Sequence, residues 1–420
     1  MPRTSGRSAF LQLLVDEGVT HLFGNPGTTE LPIMEVVPDF PQLEFVLGLQ
    51  ESIVLGMADG YCRASHRLAA ANVHVMPGLG NAMGALYNAK FSGSPLILTA
   101  GQQEQGHGLL EPLLYEPLVP VAQPLVKWAV EVTRAADLPR ILHRAAKIAL
   151  TPPTGPVFLS LPGDVLDETA EMDMGRPVRI DHSARPSDET LSKLATSLRE
   201  AKRPVIIAGH ELARHDAFDE AAELAELLGA PVFGDSIPYS APFPSEHPAY
   251  MGALSRQQQQ VRALLEPYDL LVCLGADLLR MSVYSPIEPL PEGLPVVHIS
   301  ERAHELGKNY RTDHAVHANV KETLKALLPL LRDLPRDHPR LAALKQRNWS
   351  AQREQARVQA MRAADTAPID PQCLMWRFTE ALPRDAVVVD EGLVSSTSLP
   401  RLLSMRDPQS YYGLASGGLG

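Results

Sequence analysis

The chain has 420 residues, which is long for one ordinary hydrophobic core and sets an expectation of two or three domains. With 45% hydrophobic and 21% charged residues, it reads as globular, neither disordered nor membranous. The net charge of −11 comes from 38 basic and 49 acidic residues with no basic cluster, which argues against nucleic acid or an anionic membrane surface as partner.

The pattern of elements begins with RSAFLQLLVDEGV, apolar at helical spacing and ending at Gly18, a helix C-cap candidate. THLFG then reads as a buried strand entering a turn, LEFVLGL as a strand and ESIVLGMADGYCRAS as a helix. LAAANVHV is a strand leading into a Gly-rich turn, GNAMGALYNAKFSG a helix and PLILTAG a strand. ADLPRILHRAAKIALT is an amphipathic helix, followed by the strand GPVFLSLP. Strands alternating with helices predict a parallel sheet covered on both faces.

The polar stretch from Asp164 to Asp188 reads as a linker. A second alternating set follows in PVIIAGH, AAELAELLG, PVFGD, LLVCLGA and PVVHIS. Its glycine spacing does not match G-x-G-x-x-G, so a dinucleotide site is not indicated. Val320 to Ala364 is charged and reads as a solvated helix plus linker. DPQCLMWRFTEALP, DAVVVDEG and SSTSLPRLLSM then open a third unit of the same kind. The expected class is α/β, with three doubly wound parallel-sheet domains: residues 1–170, residues 185–335, and an incomplete one over 368–420 after a linker at 336–367.

Cys62, Cys273 and Cys373 form neither C-x-x-C nor a disulfide framework and suit a reducing cytoplasm as small buried hydrophobes. The opening MPRTSGRSAFLQLLVDEG lacks the apolar run and cleavage site of a signal peptide, and no run reaches a membrane span. A cytoplasmic location is expected.

Four strand ends carry residues able to do chemistry. In FGNPGTTE, Gly24 and Gly27 permit unusual dihedrals, Pro26 stiffens the turn and Thr28 or Thr29 could cap the next helix. A plain βα turn and a ligand turn are both open there. Glu51 starts a helix among apolar neighbours. Complementation of the helix dipole would explain it, but a carboxyl that loses its hydration can also pass a proton to a ring nitrogen. His74 ends a strand, and TAGQQEQGHG brings Gln102, Gln103 and His107 to the next strand end. Ligands of doubly wound sheets bind at such ends.

Together, FGNPGTTELP, LQESIVLGMADGYCRAS, HVMPGLGNAMGALYNA and SPLILTAGQQ resemble the pyrimidine-binding domain of thiamine-diphosphate-dependent 2-keto acid enzymes, particularly the benzoylformate decarboxylase branch. PLVKWA, GPVFLSLP, PVIIAG and PQSYYGLASGGLG extend the likeness over essentially the whole chain. The resemblance implies that Glu51 protonates the cofactor's pyrimidine N1′ and that His74 assists proton transfer during the reaction. It implies a cofactor-lining turn at Asn25, Pro26 and Gly27, with Thr28 at a substrate-binding position. Asn81 and Gln103 fall in segments lining the cofactor cleft, Gly417 matches a backbone contact to the aminopyrimidine, and Leu419 matches the residue that props the cofactor into its bent form. Leu393 and Val394 fall where the family has a diphosphate-binding turn; that turn has hydroxyls in the nearest branch, whereas here Ser395 and Ser396 come one step later.

Two departures stand out. Ser282, in GADLLRMSVYSP, replaces a second catalytic histidine, leaving proton delivery to another group such as His107. The family's motif for Mg²⁺, the ion that neutralises the diphosphate, would lie beyond Gly420, so the chain as written is expected to bind the cofactor weakly or not at all. The implied function is non-oxidative decarboxylation of a 2-keto acid to an aldehyde. The alternatives are a carboligase of the acetolactate synthase or benzaldehyde lyase type, or a non-catalytic homologue. A homodimer or homotetramer is implied, with Glu51 of one chain facing Gly417 of the other.

Overall fold

The computed structural model describes residues 3–335, 339–394 and 396–418. These fall into two compact units: one runs to His182 and includes the residues from Leu414 onward, the other is Ser183–Gly413.

In the first unit, Ser5 caps helix α1 (Gly6–Asp16) by accepting the Ser8 N–H at 3.3 Å, and Gly18, at φ +81°, ends it in the left-handed conformation expected of a helix terminator. The strands β2 (His21–Asn25), β3 (Glu44–Leu47), β4 (Ala69–Val73), β5 (Leu96–Gln102), β6 (Ala129–Glu131) and β7 (Val157–Pro162) form one parallel sheet in the order β3-β2-β4-β5-β7-β6. Every residue of β4, β5 and β7 is buried, as expected for central parallel strands covered on both faces. One face packs against α1 and α6 (Leu138–Leu150), the other against α3 (Glu51–Ser65) and α4 (Val75–Ser92); α2 (Leu31–Val36) and α5 (Leu118–Ala122) are short.

The register aligns Asn25 with Val73 and Val73 with Ala100, so the segments leaving β2, β4 and β5 emerge at one edge. The first part of the stretch read as a linker is ordered: α7 (Gly163–Asp167) is followed by β8 (Thr169–Glu171), which pairs antiparallel with β1 (Arg3–Ser5). Its polar sequence hid a strand whose stability comes from backbone pairing.

In the second unit, β9 (Pro204–Ala208), β10 (Val232–Gly234), β11 (Tyr250–Ala253), β12 (Leu270–Leu274), β13 (Val296–Ser300) and β14 (His314–His317) form another parallel sheet, ordered β11-β10-β9-β12-β13-β14. Helix α8 (Asp188–Glu200) precedes β9, α9 (His210–Arg214) and α10 (Phe218–Leu228) lie between β9 and β10, α11 (Gln258–Leu265) precedes β12 and α12 (Val320–Leu327) follows β14. Among the described residues, β10–β11, β12–β13 and β13–β14 are joined without a helix. The expectation of a solvated helix after Val320 is corrected, because α12 buries Val320, Thr323, Leu324 and Leu327. Further on, α13 (Pro339–Lys345) and α14 (Trp349–Arg362) are helical; Trp349 is buried and donates its indole N–H to the Pro400 carbonyl at 3.1 Å. After α15 (Pro371–Ala381), β15 (Val388–Asp390) pairs in parallel with β16 (Tyr411–Gly413) across the short α16 (Leu399–Leu402), a third α/β beginning. No helix among the described residues is long and apolar enough to cross a membrane.

Candidate active site

Helix α3 starts at Glu51 because Gln50 caps it. The Gln50 backbone is extended, and its Oε1 accepts the N–H of Ser52 at 2.6 Å and of Ile53 at 3.3 Å, with the Ser52 hydroxyl also donating to it. The Glu51 side chain is thereby aimed from a defined first turn, and the residue is buried, at 8% exposure. Its two oxygens are held separately. Asn25, the last residue of β2, donates Nδ2–H to Oε1 at 3.0 Å; Asn81, on α4, donates Nδ2–H to Oε2 at 3.0 Å. A carboxylate oxygen can accept more than one hydrogen bond, so both keep capacity for a further donor.

A second arrangement lies at the end of β4. His74 is the N-cap of α4, and Val75 follows at φ +42°, a strained conformation for a β-branched residue. The expected Gly-rich turn is thus corrected: helix starts at once, and Gly78 and Gly80 are inside it. His74 donates Nδ1–H to Glu30 Oε2 at 2.8 Å. Glu30 is fully buried and also accepts from the Gly27 N–H at 2.8 Å, the Gly101 N–H at 2.9 Å and the Thr29 hydroxyl at 2.8 Å. These donors compensate the loss of its hydration. Because the carboxylate accepts, Nδ1 carries the proton and Nε2 is the nitrogen left for chemistry.

Two glycines are required by close approach. A Cβ on Gly27 would fall inside the His74 ring, and one on Gly101 would collide with the Glu30 carboxylate.

Asn25, Glu51 and Asn81 are therefore joined by hydrogen bonds, and Gly27 is packed on His74. Thr28 is exposed at the start of a 3₁₀ turn; its hydroxyl is no helix cap, and it is Thr29 that reaches Glu30 and lies 3.2 Å from His74 Nδ1. Pro26 is half-buried in the same turn. Gln103 turns its amide onto the Leu113 carbonyl at 2.9 Å, while the neighbouring Gln102 is buried and donates to the Glu116 carbonyl at 2.9 Å. His107 is exposed in the following loop. Gly417, at φ +82°, belongs to the same compact unit, and Leu419 lies outside the described residues. In the second unit, Leu393, Val394 and Ser282 are exposed, and Ser395 is outside the described residues. Sequence reasoning missed Gln50 and Glu30, and offered Thr29 only as an alternative helix cap. Glu30 had one signal, its place three residues after the turn glycine Gly27, but that spacing lacks the Ser or Thr that makes a capping box recognisable.

Residues 4–111 match the family described as "Thiamine pyrophosphate enzyme, N-terminal TPP binding domain", and residues 191–327 match "Thiamine pyrophosphate enzyme, central domain". A benzoylformate decarboxylase from Pseudomonas aeruginosa is 34% identical over 98% of this chain and 76% of its own length. The chain belongs to the thiamine pyrophosphate enzyme family.

An acetolactate synthase large subunit from Lactococcus lactis is 29% identical over 78% of this thiamine pyrophosphate enzyme and 57% of its own length. Among solved structures, a thiamine diphosphate-dependent 4-hydroxybenzoylformate decarboxylase of Rhodococcus jostii RHA1 is 32% identical. It superposes with a TM-score of 0.86 over 99% of this chain and 76% of that one. The donor set fits the cofactor of the family. A buried carboxylate, oriented by two amides and with acceptor capacity left, is the partner that a protonated ring nitrogen requires.

Proposed function

We propose that this thiamine pyrophosphate enzyme decarboxylates a 2-keto acid, without oxidation, to an aldehyde and carbon dioxide. The observation that carries the reading is the buried Glu51 carboxyl held between Asn25 and Asn81. Thiamine diphosphate, when bound, supplies the electron sink that receives the electron pair left by carbon dioxide. Asn25, Pro26, Gly27, Asn81 and Gln103 would line its site, with Gly417 and Leu419 contributing a backbone contact and an apolar prop. Mg²⁺ would offset the diphosphate charge.

Glu51 would hold the pyrimidine ring nitrogen and exchange a proton with it, with the two asparagine amides keeping its carboxyl oriented. The net reaction replaces a carboxylate by a proton, so the site also needs an acid near the reacting carbon. His74 is the group assigned to that step: its Nε2 takes a proton from solvent, giving an imidazolium that Glu30 holds at Nδ1, and passes it to the carbon. Thr28 would meet the substrate. The reaction takes small-molecule 2-keto acids, in a homodimer or homotetramer. The three free, buried cysteines suit a reducing cytoplasm.

Incubating cofactor-loaded protein with aromatic and aliphatic 2-keto acids, with and without an acceptor aldehyde, tests the reading. Aldehyde and carbon dioxide in equal amounts are expected; turnover to acyloin alone would replace it with carboligation. That second reading is favoured by Ser282, which stands where the resemblance implies a histidine.

A further inference from the structure

Helices α3 and α4 are cross-linked at two levels. The upper level is the Glu51–Asn81 bond. Eight residues beyond Glu51, about 12 Å along α3, is Asp59; seven beyond Asn81 on α4 is Asn88. Asn88 donates Nδ2–H to Asp59 Oδ2 at 2.9 Å, so the same carboxylate–amide rung repeats two turns down. Asp59 is 4% exposed, and its other oxygen accepts the hydroxyls of Ser92, at 2.7 Å, and Ser94.

This lower rung has a second use. With its amide N–H committed to Asp59, Asn88 has its carbonyl turned the other way. That oxygen accepts the backbone N–H of Ala415 at 3.1 Å and of Ser416 at 3.2 Å, and the Ser416 hydroxyl at 3.3 Å. Gly417 follows in the left-handed conformation, and Gly418 passes so close to the Gly84 backbone of α4 that an added Cβ would lie 3.2 Å from its carbonyl oxygen. Ala415 is buried.

We propose that Asn88, polarised by Asp59, is a positioning residue that seats the Gly417 loop on the helix pair carrying Glu51. The inference rests on the thiamine diphosphate reading for its consequence, since the Gly417 loop, seated on its own chain's helices, is expected to present its backbone to the aminopyrimidine held by Glu51 of the second chain. The seat itself rests on the hydrogen bonds alone. Its polarity is directional: Asp59 only accepts, the two backbone amides only donate, and an amide side chain between them satisfies both.

The test is an exchange of the two residues. Asn88→Asp keeps an acceptor for the loop but sets a second carboxylate against Asp59. Asp59→Asn combined with Asn88→Asp restores the rung with the donor on the other helix, keeps acceptors for Ser92, Ser94 and the loop, and leaves net charge unchanged. In the intact protein, Asn88→Asp is expected to accelerate hydrogen exchange of the Ala415 and Ser416 amides. It should also weaken thiamine diphosphate binding roughly tenfold in the presence of Mg²⁺, with turnover at saturating cofactor changed far less. The double variant should return both quantities toward wild type. Unchanged amide protection in Asn88→Asp, or a double variant as impaired as the single one, would overturn the proposal. Protein that includes the family's Mg²⁺ motif and still binds no thiamine diphosphate would refute the functional reading instead, and amide exchange would still decide the seat.

Discussion

At the scale of single residues, the site divides its two carboxylates by what surrounds them. Glu51 has two amide donors and retains acceptor capacity, whereas Glu30 takes two backbone N–H groups, a hydroxyl and His74. One keeps room for a further donor and the other is surrounded by internal donors, so their amide variants should differ. Glu51→Gln is expected to lower kcat/KM by about 10²–10⁴-fold while thermal unfolding stays close to wild type. Glu30→Gln turns an amide N–H₂ toward buried donors and should cost about 1–3 kcal/mol of stability, besides releasing the His74 ring. Measuring melting and steady-state kinetics on both variants separates the roles; equal melting losses would contradict the division. Glu51 was legible in the sequence because a strand end running into an amphipathic helix placed it. Glu30 was not, because its four donors come from three segments that only the fold brings together.

At the scale of elements, the central strands were read correctly because burial on both faces leaves long apolar runs, and α1, α3, α6 and α10 because their apolar residues recur at helical spacing; α8 and β6 were not read. The errors concern pieces whose stability comes from elsewhere. Residues 169–171 pair with the chain's beginning, and β11 and β14 are short edge strands with little apolar signal. The start of α4 was misplaced because its first turn is rich in glycine and proline, and Val75 holds a positive φ no propensity would assign. The start of α3 depends on an unusual cap. Gln50→Ala should cost about 1 kcal/mol, fray the first turn and lower kcat more than the modest stability loss explains, since Glu51 is the first helical residue. Gln50→Asn, a shorter side chain of a good capping type, should recover part of the stability. Melting and kcat measured on both variants check this; a Gln50→Ala protein with wild-type kcat would show that Glu51 is positioned by Asn25 and Asn81 alone.

At the scale of the whole molecule, repeated strand–helix alternation made the α/β architecture legible, while the return of the residues from Leu414 to the first unit was not. That return depends on Asn88, more than 300 residues away in sequence, and carries no local signal. The second unit has its own electrostatic consequence. Asp235 follows β10, and Asp277 follows β12 at the same carboxyl edge of the sheet. Arg280 and Arg302 are both bonded to Asp277, each at 3.0 Å. Loss of hydration, reinforced by the Asp277 charge and only partly opposed by those arginines, pushes Asp235 from its ordinary 3.8 up to about 8. The folded protein therefore retains a proton that the unfolded chain releases. This contribution to stability is fully present below pH 3.8, declines as pH rises toward 8, and is lost above it. His210 acts in the opposite sense: burial and then Arg302 hold it below its ordinary value, so its contribution is present above pH 6.5 and is lost as pH falls. Comparing wild type with Asp235→Asn cancels the His210 part, which both proteins share. Relative to wild type, the variant should gain stability steadily from about pH 4 to about pH 8 and then hold a constant difference. Urea midpoints across that range provide the measurement, and a difference independent of pH would show that Asp235 is ionised throughout.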